Sequence, residues 1–151
     1  MSDQDCISTL IAQASNPSQL QSAQHVAAQR LLADDGETYP SDGCAITLSV
    51  LLQNAGIAID DTFAAITLGE KLQRVRNWVV VPLGSQRAGD VGSTCGPVPQ
   101  HGSDHIYLVL KALNSDEMVI ADNQASQPHF RYASGQGGKT PTRFFLRAPG
   151  L

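Results

Sequence analysis

From Cys44 to about Asn54 the chain carries apolar side chains around most of the circumference of a helix: Ala45, Ile46, Leu48, Val50, Leu51 and Leu52. A helix with one apolar stripe can lie on a surface. One that is apolar on most faces has to be enclosed. This segment therefore predicts a central, buried helix, and the rest of the chain must supply its wrapping. Ala55-Gly56 follows it and predicts a glycine stop. With 151 residues, the chain can form one domain over 1–151 with one sizeable core.

What comes before the central helix reads as helical. Ile7, Leu10, Ile11 and Ala14 follow helical spacing. Asn16 and Pro17 offer an N-cap and a first-turn proline for a second helix. Its buried face is Leu20, Ala23, Ala27, Leu31 and Leu32, and it should end near Asp35-Gly36. After the central helix, Asp60 or Asp61 can cap another, running through Ala64, Ala65, Leu68 and Leu72.

The character then changes to strands. Trp78-Val79-Val80-Val81 reads as a short strand stopped by Pro82. Residues 84–104 are rich in glycine, proline and serine, with Val91 a brief strand candidate. His105 to Leu110 is a clear strand, 114–117 a turn, and Met118 to Ala121 the return strand of a hairpin. Thr142 to Leu146 is a last strand after a glycine-rich loop. Helices first and strands afterwards predict an α+β fold, with N-terminal helices and a central helix packed on a small antiparallel sheet.

Composition excludes several functions. Hydrophobic residues make up 42% and charged residues 16%, a globular rather than disordered balance. The net charge is −4, and the closest basic pair is Arg74 and Arg76, so no phosphate-tracking nucleic-acid surface is expected. No apolar stretch approaches the roughly 20 residues of a membrane span. The cysteines Cys6, Cys44 and Cys95 are odd in number and widely spaced. That predicts at least one free thiol and no zinc knuckle, and neither a metal nor a cofactor is expected. The acidic start Met1 to Cys6 lacks the basic region of a secretory signal, which predicts synthesis in the cytoplasm.

The chemistry concentrates around Cys44. A cysteine at a helix N-terminus feels the positive end of the macrodipole, which favours the nucleophilic thiolate. A strand packed against that helix can bring His105 to the same edge. The antiparallel return strand ends in Asp122-Asn123-Gln124, beside the start of the first. Asp122 or Asn123 can then bond the imidazole and fix its tautomer, completing nucleophile, base and orienting group. Each residue also has a plainer reading: Cys44 as a small buried hydrophobe, His105 as a rim residue, and Asp122-Asn123 as turn chemistry. His101, in the loop before His105, is a substrate contact or an alternative base. His25 and His129 are read as structural and Trp78 as core. Cys95 is an inert loop thiol or an oxidative partner of Cys44. Gly89-Asp90-Val91-Gly92 lacks the lysine and hydroxyl of a phosphate loop and reads as a tight turn into a strand.

These residues in this order resemble a known family. Tyr39-Pro40-x-x-x-Cys44 before an apolar helix is similar to the nucleophile motif of CHAP domains, the cysteine, histidine-dependent amidohydrolases/peptidases. Ala88-Gly89-Asp90-Val91 resembles their Pro-Gly-Asp-Val turn, and His105-Ile106-Tyr107-Leu108-Val109 their His-Val-Ala-Ile-Val strand. Ile120 to Gln124 resembles the strand end that carries their third polar residue. The order also resembles the NlpC-type peptidoglycan peptidases. The likeness covers roughly 39–125 with a gap over 60–85. Gly43 stands where CHAP domains usually have glutamine, and Ala88 replaces the usual proline.

The resemblance implies a papain-like fold and a cysteine amidase or endopeptidase that cleaves amide bonds in peptidoglycan stem peptides. It implies Cys44, His105 and Asp122 or Asn123 as catalytic, with Tyr39 and His101 near substrate. A wall substrate without a signal predicts delivery by another route, as a secreted antibacterial effector or in a lysis pathway. A secretion-system component and an immunity protein are then further partners. The alternatives are a papain-like deamidase or protease acting on proteins, and a non-catalytic binding module on the same fold.

Overall fold

The structure is a computed structural model that describes residues 1–100 and 102–150. A 3-10 turn at Asp3–Cys6 leads into helix α1 (Ile7–Ser15), followed by α2 (Pro17–Asp35), α3 (Cys44–Asn54) and α4 (Ala65–Glu70). A π-helical turn, Lys71–Val75, extends α4. The strands are β1 (Val79–Val81), β2 (Val91–Ser93), β3 (Ile106–Ala112), β4 (Glu117–Ala121), β5 (His129–Tyr132) and β6 (Phe144–Arg147). They form one sheet in the order β1-β6-β2-β3-β4-β5, with every pairing antiparallel. Among the described residues the fold is therefore α+β, with four α-helices and a six-stranded antiparallel sheet. No helix is long and apolar enough to cross a membrane.

The helix boundaries follow from local chemistry. The Asn16 side chain accepts the Gln19 N–H at the head of α2, with Pro17 in its first turn. Gly36 ends α2 with φ 77°, a left-handed conformation that costs glycine nothing. Residues 44–52 of α3 are all buried, as a helix apolar on most faces requires. Its two buried hydroxyls, Thr47 and Ser49, are satisfied by the carbonyls of Gly43 and Ala45 one turn back.

The sheet is covered on both faces at its centre. Ile106, Leu108 and Leu110 of β3 join α1, α2 and α3 in the main core. Tyr107 and Val109, pointing the other way, pack with Met118, Ile120 and Phe145 in a second core. Each fully buried side chain of this kind contributes about 1.5–3 kcal/mol. Gly92 lies under the Tyr107 ring, and a Cβ there would collide with it. That contact explains the glycine in an otherwise buried central strand.

Two expectations need correction. Neither Asp60 nor Asp61 caps α4, whose N-cap is Ala64 without a side-chain bond. The Asp61 carboxylate is instead held by Arg30 and Gln53. Residues 129–132 form edge strand β5 on β4, where the sequence suggested only loop. The brief strand expected at Val91 is β2, which lies inside the sheet between β3 and β6. Trp78 is core, as expected, and its indole N–H donates to Asp3, which also pairs with Arg76.

Candidate active site

The turn before α3 is built around glycine and tyrosine. The Tyr39–Pro40 peptide is cis, and Asp42 takes a left-handed conformation with φ 54°. Gly43 follows, and a Cβ there would lie 2.9 Å from two atoms of the Tyr39 ring. Real side chains do not tolerate that approach, so the glutamine usual in the resembled family has no room at this position. The Tyr39 hydroxyl bonds Thr47 Oγ1 at 2.9 Å, and burial pushes its pKa up to about 12. Tyr39, expected near substrate, thus braces the turn that presents Cys44.

Cys44 sits at the first position of α3 and is 8% exposed. The backbone N–H groups of Ile106 and Ala45 favour its thiolate. Burial outweighs both and pushes the thiol up to about 11. The expectation of a thiolate favoured by the helix dipole does not hold in this state, because desolvation penalises the charge more than the N–H groups stabilise it. About one molecule in 10⁴ carries the thiolate at pH 7.

The sheet brings the second group to the same place. His105 immediately precedes β3, so the Ile106 N–H sets its strand end against Cys44. The His105 backbone is clasped by Thr94, whose Oγ1 accepts the His105 N–H at 2.8 Å and whose N–H donates to the His105 carbonyl at 3.0 Å. The ring stacks on Tyr107 with centroids 5.8 Å apart. Its Nε2 lies 2.8 Å from Asp122 Oδ2.

Asp122 ends β4 and is 2% exposed. Its Oδ1 accepts from His129 Nε2 at 2.8 Å and from the Gln124 N–H at 2.9 Å. Burial alone would raise this carboxyl. The hydrogen bonds and charges of His105 and His129 outweigh it and hold Asp122 well below the usual carboxylate range. An ionised carboxylate only accepts, so both Nε2 atoms carry protons. Nδ1 is then the ring nitrogen of His105 that can act as a base.

Of the two candidates for orienting His105, the structure gives the contact to Asp122. The Asn123 Nδ2 donates instead to the Pro40 carbonyl at 2.8 Å, tying the end of β4 to the Cys44 turn. His129, read as structural in a late loop, shares Asp122 with His105. Its signal was weak in sequence because β5 is a short edge strand with an exposed Phe130. Gln24 of α2 also went unremarked, and its side chain donates to the carbonyls of Asp122 and Ala125 at 2.9 and 2.7 Å. His101, the other expected substrate contact, lies outside the described residues. His25 sits on α2 beside Gln29, away from these groups. Asp90 accepts from Arg147 and the Arg87 N–H, so residues 89–92 form the expected tight turn rather than a phosphate loop.

Cys44 opens into a cleft with two arms. One, of about 260 Å³, is lined by Pro40, Ser41, His105, Asn123 and Gln124. The other, of about 200 Å³, runs past Phe63, Ala65, Ile66 and Pro99. Asp42 and Asp104 border both. Cys95 is buried, and all three cysteines are free thiols. No group of metal-ligating side chains occurs among the described residues. The chain matches no protein-family model, no curated protein and no solved structure.

Proposed function

We propose that this chain is a papain-like cysteine amidase or endopeptidase that hydrolyses peptide amides of peptidoglycan. One juxtaposition carries the reading: Cys44 and His105 line the same arm of the cleft, and His105 is bonded to an ionised Asp122. The substrate class rests on the likeness of the motifs to wall peptidases. Delivery to the wall as an antibacterial effector or in a lysis pathway belongs to the same proposal.

The protonated thiol dictates the first step. As the sulfur attacks the amide carbon, His105 Nδ1 takes its proton, and Asp122 stabilises the imidazolium that forms. The carbonyl oxygen becomes an oxyanion beside the Cys44 N–H, a first-turn donor without an intrahelical partner. Ser41 and Gln124 line the same arm and offer further donors. One such donor is worth about 2.7–4 kcal/mol. His105 then gives its proton to the leaving nitrogen as the C–N bond breaks, leaving a thioester. Water attacks the thioester, His105 accepts the water proton, and the C–S bond breaks. The proton returns to sulfur, and the carboxylic acid departs.

The test is incubation with purified peptidoglycan and soluble muropeptides, with products followed by mass. The intact chain should release peptide fragments with a mass gain of one water per cut, and Cys44→Ala should release none. Full activity in Cys44→Ala would end the reading. Inertness towards muropeptides, with cleavage or deamidation of a protein, would move the substrate and keep the chemistry.

A further inference from the structure

A cavity of about 530 Å³ lies outside this machinery and is larger than either arm of the cleft. Ile66 is a wall of both this cavity and the second arm, so the two adjoin. Cys95 lines the cavity as well.

Two guanidinium groups border the cavity. Arg74 comes from the turn after α4, and Arg143 precedes β6. The Arg143 N–H donates to the Ser93 carbonyl at 2.8 Å, which fixes its backbone on the sheet. Its guanidinium lies over Gly96, where any Cβ would collide with Nη1. Position 96 is thus free of a side chain where the guanidinium rests. Arg30, Arg76 and Arg147 each engage a carboxylate. Among the described residues, Arg74 and Arg143 engage none. Glu70 shares the lining and joins neither in an ion pair, which leaves the cavity with one net positive charge.

The cleft beyond Ile66 has the opposite sign. Asp104 borders both of its arms, and Asp35 borders the second. An anion is therefore disfavoured beside Cys44 and favoured one cavity further along. We propose that Arg74 and Arg143 form a carboxylate subsite, which holds the free carboxylate of a short peptide whose amide lies at Cys44. The inference rests on the hydrolase reading and names its substrate class: peptides ending in, or carrying, a carboxylate on the Ile66 side of the bond that breaks. Guanidinium suits the task because its planar fork matches a carboxylate in two parallel bonds.

Binding to the Cys44→Ala chain tests this without any hydrolysis. The probes are N-acetyl-alanyl-alanine, its C-terminal amide and inorganic phosphate, titrated by NMR. The free acid should bind about tenfold tighter than the amide and shift the Ile66, Gly96 and Phe144 signals. Arg74→Gln with Arg143→Gln should make acid and amide equal. Arg143→Lys, which keeps the charge, should retain part of the preference and reports on folding. Equal binding of acid and amide, or a preference that survives the double substitution, would overturn the subsite. So would absence of acid binding at the highest soluble concentration. Phosphate binding as tightly as the peptide acid would overturn the peptide assignment. A chain that binds the acid selectively but never cleaves an amide would sink the hydrolase reading alone.

Discussion

The two walls of the cleft are built by different means. On the sheet wall, Asp122 receives His105, His129 and Gln124, and His105 is clasped by Thr94. Each of these four contacts is a hydrogen bond that involves a side chain. On the helix wall, Cys44 has no side-chain hydrogen bond among the described residues, and burial governs its thiol. The sheet wall holds a charge in place, and the helix wall suppresses one. An ionised carboxylate and a protonated thiol therefore coexist in one cleft, and in the proposed reaction proton transfer between the walls is part of the chemistry rather than its precondition.

Removing the hub of the sheet wall should have the largest effect. Asp122→Ala leaves two imidazoles and a backbone N–H unsatisfied and should cost about 3–5 kcal/mol, read as a fall in Tm or denaturation midpoint. The pH dependence carries the same signature. A carboxyl whose folded pKa is depressed contributes stability that is present above its unfolded value, about 3.9, and lost as pH falls towards the folded value. The intact chain should lose stability steeply below that point, and Asp122→Asn should flatten the loss. A variant as stable as the intact chain would show that the network is ornamental.

The helix wall makes a contrasting prediction about rate. A thiol pushed up to about 11 should alkylate at pH 7 on the order of 10² more slowly than an ordinary cysteine of pKa about 8.5. The Cys44 rate should keep rising beyond pH 9. A plateau near neutrality would mean a preformed thiolate, and the contrast between the walls would disappear.

Two smaller changes probe how the helix wall is held. Gly43→Ala drives a methyl into the Tyr39 ring and should cost about 1–3 kcal/mol in an unfolding titration. Tyr39→Ala in the same chain should make that substitution cheaper, and strict additivity would refute the contact. Tyr39→Phe removes only the bond to Thr47, which keeps its bond to the Gly43 carbonyl. A loss of about 0.5–1.5 kcal/mol is expected from the same titration.

Much of this architecture could be read from local pattern. The α3 segment announced itself through apolar residues on most faces, and the β3–β4 hairpin through two apolar runs around a polar turn. Those two elements were enough to bring Cys44, His105 and Asp122 into one hypothesis, because antiparallel pairing puts the end of β4 beside the start of β3. Other features depended on contacts that no short window contains. Thr94 holds His105 from the position just after β2, and Gln24 reaches Asp122 from α2. Asp61 looked like a cap until Arg30, across the fold, claimed it. The thiol misled for a similar reason: the dipole of α3 is local, whereas the burial that opposes it comes from the sheet.

The strand order has a consequence in time. β3, β4 and β5 pair with their neighbours in sequence, so the ladder that aligns His105, Asp122 and His129 closes over short loops. β1 and β2 are separated in the sheet by β6, and Val79 finds its partner only at Arg147. Long loops close slowly because their entropy is lost before their contacts form. We infer that the base assembles early, while the nucleophile is seated only when the helical layer docks. Pulse-labelled hydrogen exchange during refolding should protect Val109 and Ile120 before Val80 and Leu146, and simultaneous protection would refute that order. Until the last pairing closes, the thiol and the imidazole have not met, and an unfinished molecule would lack the proposed chemistry.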